Sequence, residues 1–280
     1  MTDIPRKSDE ALCRPMGEAR LDAGNGAIYA RPFGTETDDL DLDFRATPRP
    51  VLITQLLRAG LRCGTTLQED DLLGWTLTRR LQGLLAIVVA TRGQKALLPV
   101  RCARASCQEE IELELDLTAL RHHDEANTFA VTPEHDVCVR ARLPTGHDQM
   151  AWLRSTPGIN RDLPIFMATQ MVERVNDSVP EEGWLVPETW LPSLESALRE
   201  RDPFTAMELT ATCPSCGHTE SFEFDPEEYL LNMLAAVQRS LMDEIHRLAT
   251  VYHWSEGQIL SLSAGRRQYY LGRVLEGSTP

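Results

Sequence analysis

Cys213 and Cys216 enclose a two-residue turn, Pro214-Ser215, and Gly217 follows directly. This spacing lets two thiolates from one tight turn face a single ion, while the turn's free amides can hydrogen-bond the sulfurs. It is a zinc-knuckle sequence. Tetrahedral zinc takes four such ligands, so a second pair is required. Cys102 and Cys107, in Cys-Ala-Arg-Ala-Ser-Cys, are the candidates, and 105 residues separate Cys107 from Cys213 (213 − 107 − 1). Four thiolates leave no coordination position open for water or substrate, so the expected Zn²⁺ is structural and not catalytic. His218 adjoins the turn and ranks behind the cysteines as a ligand. Cys13, Cys63 and Cys138 fall outside the pattern, and burial is expected for the latter two.

Other residue types that could do chemistry lack a frame. His246 and His253 stand seven apart on one helix face, where metal sites usually use four, and the neighbouring Tyr252 and Trp254 suggest a packing role. His122 and His123 sit in a polar stretch beside Asp124 and Glu125, which reads as a solvated loop. Gly24-Asn25-Gly26 lacks the strand and helix that would make it a nucleotide site. No glycine-rich phosphate loop, nucleophile elbow or metalloprotease helix occurs, so no catalytic residue is assigned and the chain reads as a non-enzyme.

The elements around the cysteines follow from periodicity. Glu110 to Leu117 alternates carboxylate and apolar residues, the mark of a half-buried strand with Ile111, Leu113, Leu115 and Leu117 inward. A strand from Leu97 to Cys102 precedes it. Met207–Thr212 and Ser221–Asp225 flank the second cysteine pair in the same way. Each pair therefore sits at the bend of a hairpin. Upstream, the pattern predicts helices over 51–62 and over 69–91, the latter ended by Gly93. Between the hairpins it predicts a strand over 137–143, a helix capped by Thr145, and helices over 161–175 and 187–201. Pro226 opens a long helix to about Tyr252, with Asp225 as N-cap and Glu227 and Glu228 favoured by the helix dipole. Ser255 and Gln258 form a capping box before a short helix, and 263–275 is the last helix.

Acidic residues outnumber basic ones, 42 to 28, for a formal charge of −14, which opposes nucleic-acid binding unless the basic residues are segregated. The chain shows neither a secretory signal nor an apolar run of ~18 residues. Seven cysteines then point to a reducing compartment and to metal or free thiols. Residues 1–50, rich in Gly, Pro and Asp, read as a flexible arm, with the acidic stretch 35–43 mobile.

Two stretches carry a resemblance. The segment 241–262, with Tyr252-His253-Trp254-Ser255 and the continuation Arg266-Arg267-Gln268-Tyr269-Tyr270-Leu271, resembles the tail of small proteins encoded among tail and baseplate genes of contractile phages. Val139-Arg-Ala-Arg-Leu-Pro-Thr-Gly-His-Asp148, with the cysteine hairpins, resembles T-even-type baseplate hub assembly proteins and their relatives in phage-like contractile injection systems. The likeness covers about 97–275; residues 1 to about 95 lie outside it. It implies a non-enzymatic assembly factor or structural component of the baseplate hub, or a chaperone of the tape-measure protein. The implied partners are tail or baseplate proteins, with no membrane and no small-molecule substrate. The implied site of action is the bacterial cytoplasm during assembly, or the tail-like particle itself.

The expected class is α+β: zinc-ribbon-like β-hairpins with a large helical insertion and long C-terminal helices. The expected division is an arm (1–50), a helical region (51–95), a ribbon-like core (96–225) with a helical insertion (about 145–205), and a C-terminal helical docking region (226–280). The alternative is a zinc-ribbon module that binds nucleic acid or a transcription complex.

Overall fold

The computed structural model describes residues 19–21, 28–64, 66–120, 126–155 and 163–276. Cys13, the Gly24-Asn25-Gly26 motif and the His122-His123 pair lie outside the described residues. The fold is mixed helix and strand, consistent with α+β. Among the described residues, no helix is long and apolar enough to cross a membrane.

Three helices form the main core. They are α1 (Arg49–Gly60), α3 (Leu77–Arg92) and α7 (Pro226–Tyr252), and between α1 and α3 lies the short α2 (Glu69–Leu73). Thirteen of the 16 residues of α3 are buried, polar Thr78, Arg80, Gln82 and Thr91 among them, so it is the central helix of the core. Leu52, Ile53 and Leu57 of α1, Leu84, Ile87 and Val88 of α3, and Leu230 and Leu234 of α7 meet in one cluster. Close approach of α1 and α3 requires glycine on each. A Cβ at Gly60 would stand 2.6 Å from Ile87 Cδ1, and one at Gly83 2.5 Å from Leu57 Cδ2.

The single helix expected over 69–91 is interrupted. Thr76 caps α3 by accepting the Arg79 amide, and the chain there bridges to Thr145. Leu77 N–H donates to the Pro144 carbonyl at 3.0 Å and Gly146 N–H to the Trp75 carbonyl at 3.1 Å. Bonding to this distant segment outweighs continuing the helix through Gly74. Behind the break Arg80 is fully buried, donating to the carbonyls of Leu72 and Pro50 and to the Thr54 hydroxyl at 2.8–2.9 Å. Burial, without a contacting carboxylate, pulls its guanidinium down to about 10.

Residues 28–48 do not behave as the expected arm. β1 (Ala19–Leu21), β2 (Ile28–Ala30) and β3 (Leu61–Arg62) make an antiparallel sheet. Within the acidic stretch, Asp39 is 1 % exposed and takes a bidentate pair of hydrogen bonds from buried Arg31, both 2.7 Å. Gln238 of α7 donates to the carbonyls of Asp39, Leu40 and Leu42 at 3.0, 3.2 and 2.8 Å. An ion pair and a glutamine thus anchor what composition alone suggests is loose.

Two cysteine hairpins leave this core. β4 (Lys95–Arg101) follows Gly93 at the end of α3 and pairs with β5 (Glu110–Asp116), while β9 (Met207–Thr212) pairs with β10 (Thr219–Phe224), which runs into α7. Between them lie β6 (Thr128–Glu134), β7 (Val137–Arg142), α4 (Gly146–Arg154), α5 (Leu163–Met171), β8 (Val172–Val175) and α6 (Leu191–Arg201). This insertion is not purely helical, for β6-β7-β8 form a sheet with its own core of Phe129, Val139, Trp190 and Leu194. The helix expected over 161–175 ends at Met171, because Val172 and Val175 pair with β7.

At the other end α7 packs through Leu241, Ile245 and Leu248 on α8 (Glu256–Leu260) and α9 (Ala264–Leu275). The Ser255–Gln258 capping box forms, and Tyr252 stacks on Trp254 at 4.6 Å. His246 and His253 are exposed and take no packing role; His253 instead ends α7 in the left-handed conformation, φ 55°.

Candidate metal centre

The packing of α3 on α7 places the thiols, because β4 extends from one helix and β10 leads into the other. Tyr229 of α7 reinforces the arrangement by donating to the Leu97 carbonyl at 3.0 Å. Alternation in β5 puts Ile111 inward, with Cys102 and Cys213, and leaves Glu110, Glu112, Glu114 and Asp116 in solvent.

Both cysteine turns share one construction. Cys213 N–H donates to the His218 carbonyl at 2.8 Å, Gly217 N–H to the Cys213 carbonyl at 2.9 Å, and Gly217 has φ +70°. In the first turn Cys102 N–H donates to the Glu109 carbonyl at 2.9 Å and Cys107 N–H to the Arg104 carbonyl at 2.8 Å. There Gln108 supplies the left-handed residue after the second cysteine, φ 52°. The longer Cys-x4-Cys loop, weak as a motif, therefore closes like the Cys-x2-Cys one. Backbone amides of Arg104, Glu109 and His218 hydrogen-bond the sulfurs of Cys102, Cys107 and Cys216 respectively.

All four sulfurs lie within 4.8 Å of one another, with no disulfide among them. Cys102 Sγ is 3.7 Å from Cys216 Sγ, and Cys107 Sγ is 3.8 Å from Cys213 Sγ. A tetrahedron with metal–sulfur bonds of about 2.3 Å has edges of about 3.8 Å, whereas a disulfide bond measures about 2.05 Å. The separations match thiolates around one ion, and the donor set can hold a metal.

The chain matches no family model, no curated protein and no solved structure. The cluster's protons are unevenly held. The His218 amide, helped by the three other thiols and opposed by burial, draws Cys216 down to about 7. At Cys102 the Arg104 amide lowers the thiol, but burial and its neighbours prevail and push it up to about 12.

His218 contributes its main chain and is not in the ligand group. Cys63 is half-buried and Cys138 exposed, so neither is the core thiol expected. Sequence reasoning missed Glu220, whose carboxylate accepts the Ala103 amide at 3.0 Å and ties one hairpin to the other. Its only signal is its place two residues past His218, where a strand returning from a knuckle passes the partner turn.

The Leu-Pro-Thr-Gly-His-Asp segment has a structural task. Asp148 accepts from Arg142 at 2.6 and 2.8 Å and from the Thr145 amide and hydroxyl at 2.7 and 2.8 Å. Gly146 lies against Arg80, where a Cβ would stand 2.7 Å from Nη1.

Proposed function

We propose that Cys102, Cys107, Cys213 and Cys216 hold one structural Zn²⁺ ion that closes a zinc ribbon split by a long insertion, and that the protein is a non-enzymatic assembly factor or structural component of a contractile tail or injection-system baseplate hub. The observation that carries the metal reading is the pair of cross-hairpin sulfur separations, 3.7 and 3.8 Å, at the tips of hairpins far apart in sequence. Zinc is the metal proposed because a closed four-thiolate site suits its tetrahedral coordination. The ion would hold the hairpins together and bring no reaction chemistry.

The assembly role rests on the resemblance of 97–275 to tail and baseplate proteins. Its partners would be tail or baseplate proteins, the tape-measure protein among them, met in the bacterial cytoplasm. The test is co-expression of the whole tail gene cluster with a tagged copy of this chain. Co-purification with the tape-measure protein or a hub protein supports the reading, and recovery of the tagged chain alone overturns it.

One observation favours the second reading, a nucleic-acid-binding ribbon. Helix α9 exposes Arg266, Arg273 and Tyr269, the last 64 % exposed. Against it stand the exposed carboxylates of β5 and the −14 charge. A gel shift at two salt concentrations separates the readings, since phosphate contacts weaken steeply with salt.

A further inference from the structure

A cleft of about 370 Å³ opens between the start of α3, α4, the turn from α6 into β9 and the start of α7, away from the thiol cluster. Small-molecule sites typically enclose ~300–1,000 Å³. Leu81, Met207 and Phe224 give it an apolar wall. On the same lining, two buried polar atoms have no hydrogen-bond partner: the Thr78 hydroxyl and the Gln149 side-chain oxygen. Thr78 is 2 % exposed. Thr54, Thr91 and Thr169 each donate to the carbonyl four residues back in their helix, at 2.6–2.8 Å. Thr78, the second residue of α3, has no such helical carbonyl behind it. A buried polar atom without a partner is destabilising, so a group that enters the cleft and pairs with it is favoured.

The charge of the lining indicates what that group is. Five carboxylates line the cleft, from Asp202, Glu208, Glu223, Asp225 and Glu227, against one guanidinium, Arg199. Arg199 is already held by Glu195 at 2.7 Å. Asp225 caps α7 and pairs with Arg49, and Asp202 accepts the Phe204 amide. Glu208 and Glu223 are different. They stand directly opposite each other in the β9–β10 register, and neither has an ion-pair partner among the described residues. Like charges at facing strand positions repel, and a cation between them relieves the repulsion. An anion is repelled by this lining, and a neutral apolar ligand leaves the two unpartnered oxygens unmet.

We propose that the cleft binds an organic cation, an ammonium or guanidinium group on a short aliphatic chain. The chain lies along Leu81 and Met207. The N–H groups donate to the Thr78 and Gln149 oxygens, and Glu208 and Glu223 balance the charge. This chemistry has two sources, a free small amine or a lysine or arginine side chain of a partner protein. The inference is independent of the metal reading.

Calorimetry on the full chain tests it with four probes: agmatine, a blocked Gly-Gly-Arg-Gly-Gly peptide, 1-pentanol and pentanoate. Agmatine or the peptide should saturate one site per chain while pentanoate shows no binding. If the peptide binds more tightly the source is a partner's side chain; if agmatine does, it is a free amine. Glu208→Gln with Glu223→Gln should weaken binding at least roughly tenfold. Ala206→Trp, at an exposed lining position, should block it while circular dichroism stays unchanged. Thr78→Val should weaken binding several-fold and leave the fold intact. The proposal is overturned if neither cation saturates by about 10 mM, if pentanol binds as well as agmatine, or if the double glutamine variant binds unchanged.

Discussion

Cys102 Sγ lies 3.7 Å from Cys216 Sγ, a residue 114 positions later on the other hairpin. Each knuckle thus completes a shell it cannot close alone. The protein should carry one zinc per chain by elemental analysis. Cys→Ser at 102, 107, 213 or 216 should each leave it substoichiometric and cost about 3 kcal/mol, or roughly 6–12 °C of melting temperature. Cys138→Ser, at an exposed position outside the cluster, should change neither quantity. Full metal occupancy in any of the four single variants would remove that residue from the ligand set.

Chelation should loosen the hairpins before the helices. The thiol cluster's own apolar company is small, essentially Ile111 and Leu113, whereas α1, α3 and α7 share a large core. Amide exchange in β4–β5 and β9–β10 should rise when a chelator is added, and amides of α3 should stay protected. Uniform acceleration across the chain would mean that the metal holds the whole fold.

Metal affinity should climb with pH. Without metal Cys216 is drawn to about 7 by the His218 amide, while Cys102 is pushed up to about 12 and Cys107 is also raised by burial and its neighbours. Zinc must displace the protons that these thiols still hold, so its apparent affinity should rise by orders of magnitude from pH 6 to pH 8. Competition with a chelator of known proton dependence measures this. A flat profile would argue against coordination by all four thiolates.

The sequence was most legible where one physical signal acted alone. Asp225 as N-cap, Pro226 at the first turn and an unbroken apolar stripe define α7 from Pro226 to Tyr252 as expected. The alternation of β5 has the expected faces, and the four cysteines meet at one point. Expectation failed where a distant partner decided the outcome. Gly74 and Thr76 fit inside a helix until Trp75–Leu77 bonds to the distant segment Pro144–Gly146. Val172–Val175 suits either state, and β7 selects the strand. Asp39 reads as solvated because the sequence does not show that Arg31 is buried beside it. The cleft went unseen for the same reason: Thr78, Gln149 and Glu223 come from three unrelated segments.

The Arg142–Asp148 pair offers a test of the junction between the insertion and the N-terminal helices. Asp148 is 4 % exposed, and burial by itself would raise its carboxyl. The Arg142 and Thr145 hydrogen bonds outweigh burial and hold it below the ordinary carboxylate range. A depressed folded-state value means stability that is fully present above the unfolded value, about 3.9, and lost as pH falls through the folded one. Asp148→Asn should cost about 2–3 kcal/mol at pH 7, less than a fully buried pair because Arg142 keeps a partly exposed side chain. Denaturant melts of both proteins between pH 7 and pH 2 check this. The gap between them should narrow below about pH 4, where the wild type protonates Asp148 and the variant has nothing to lose. A gap that stays constant to pH 2 would mean that residue 148 acts through shape and its hydrogen bonds, without its charge.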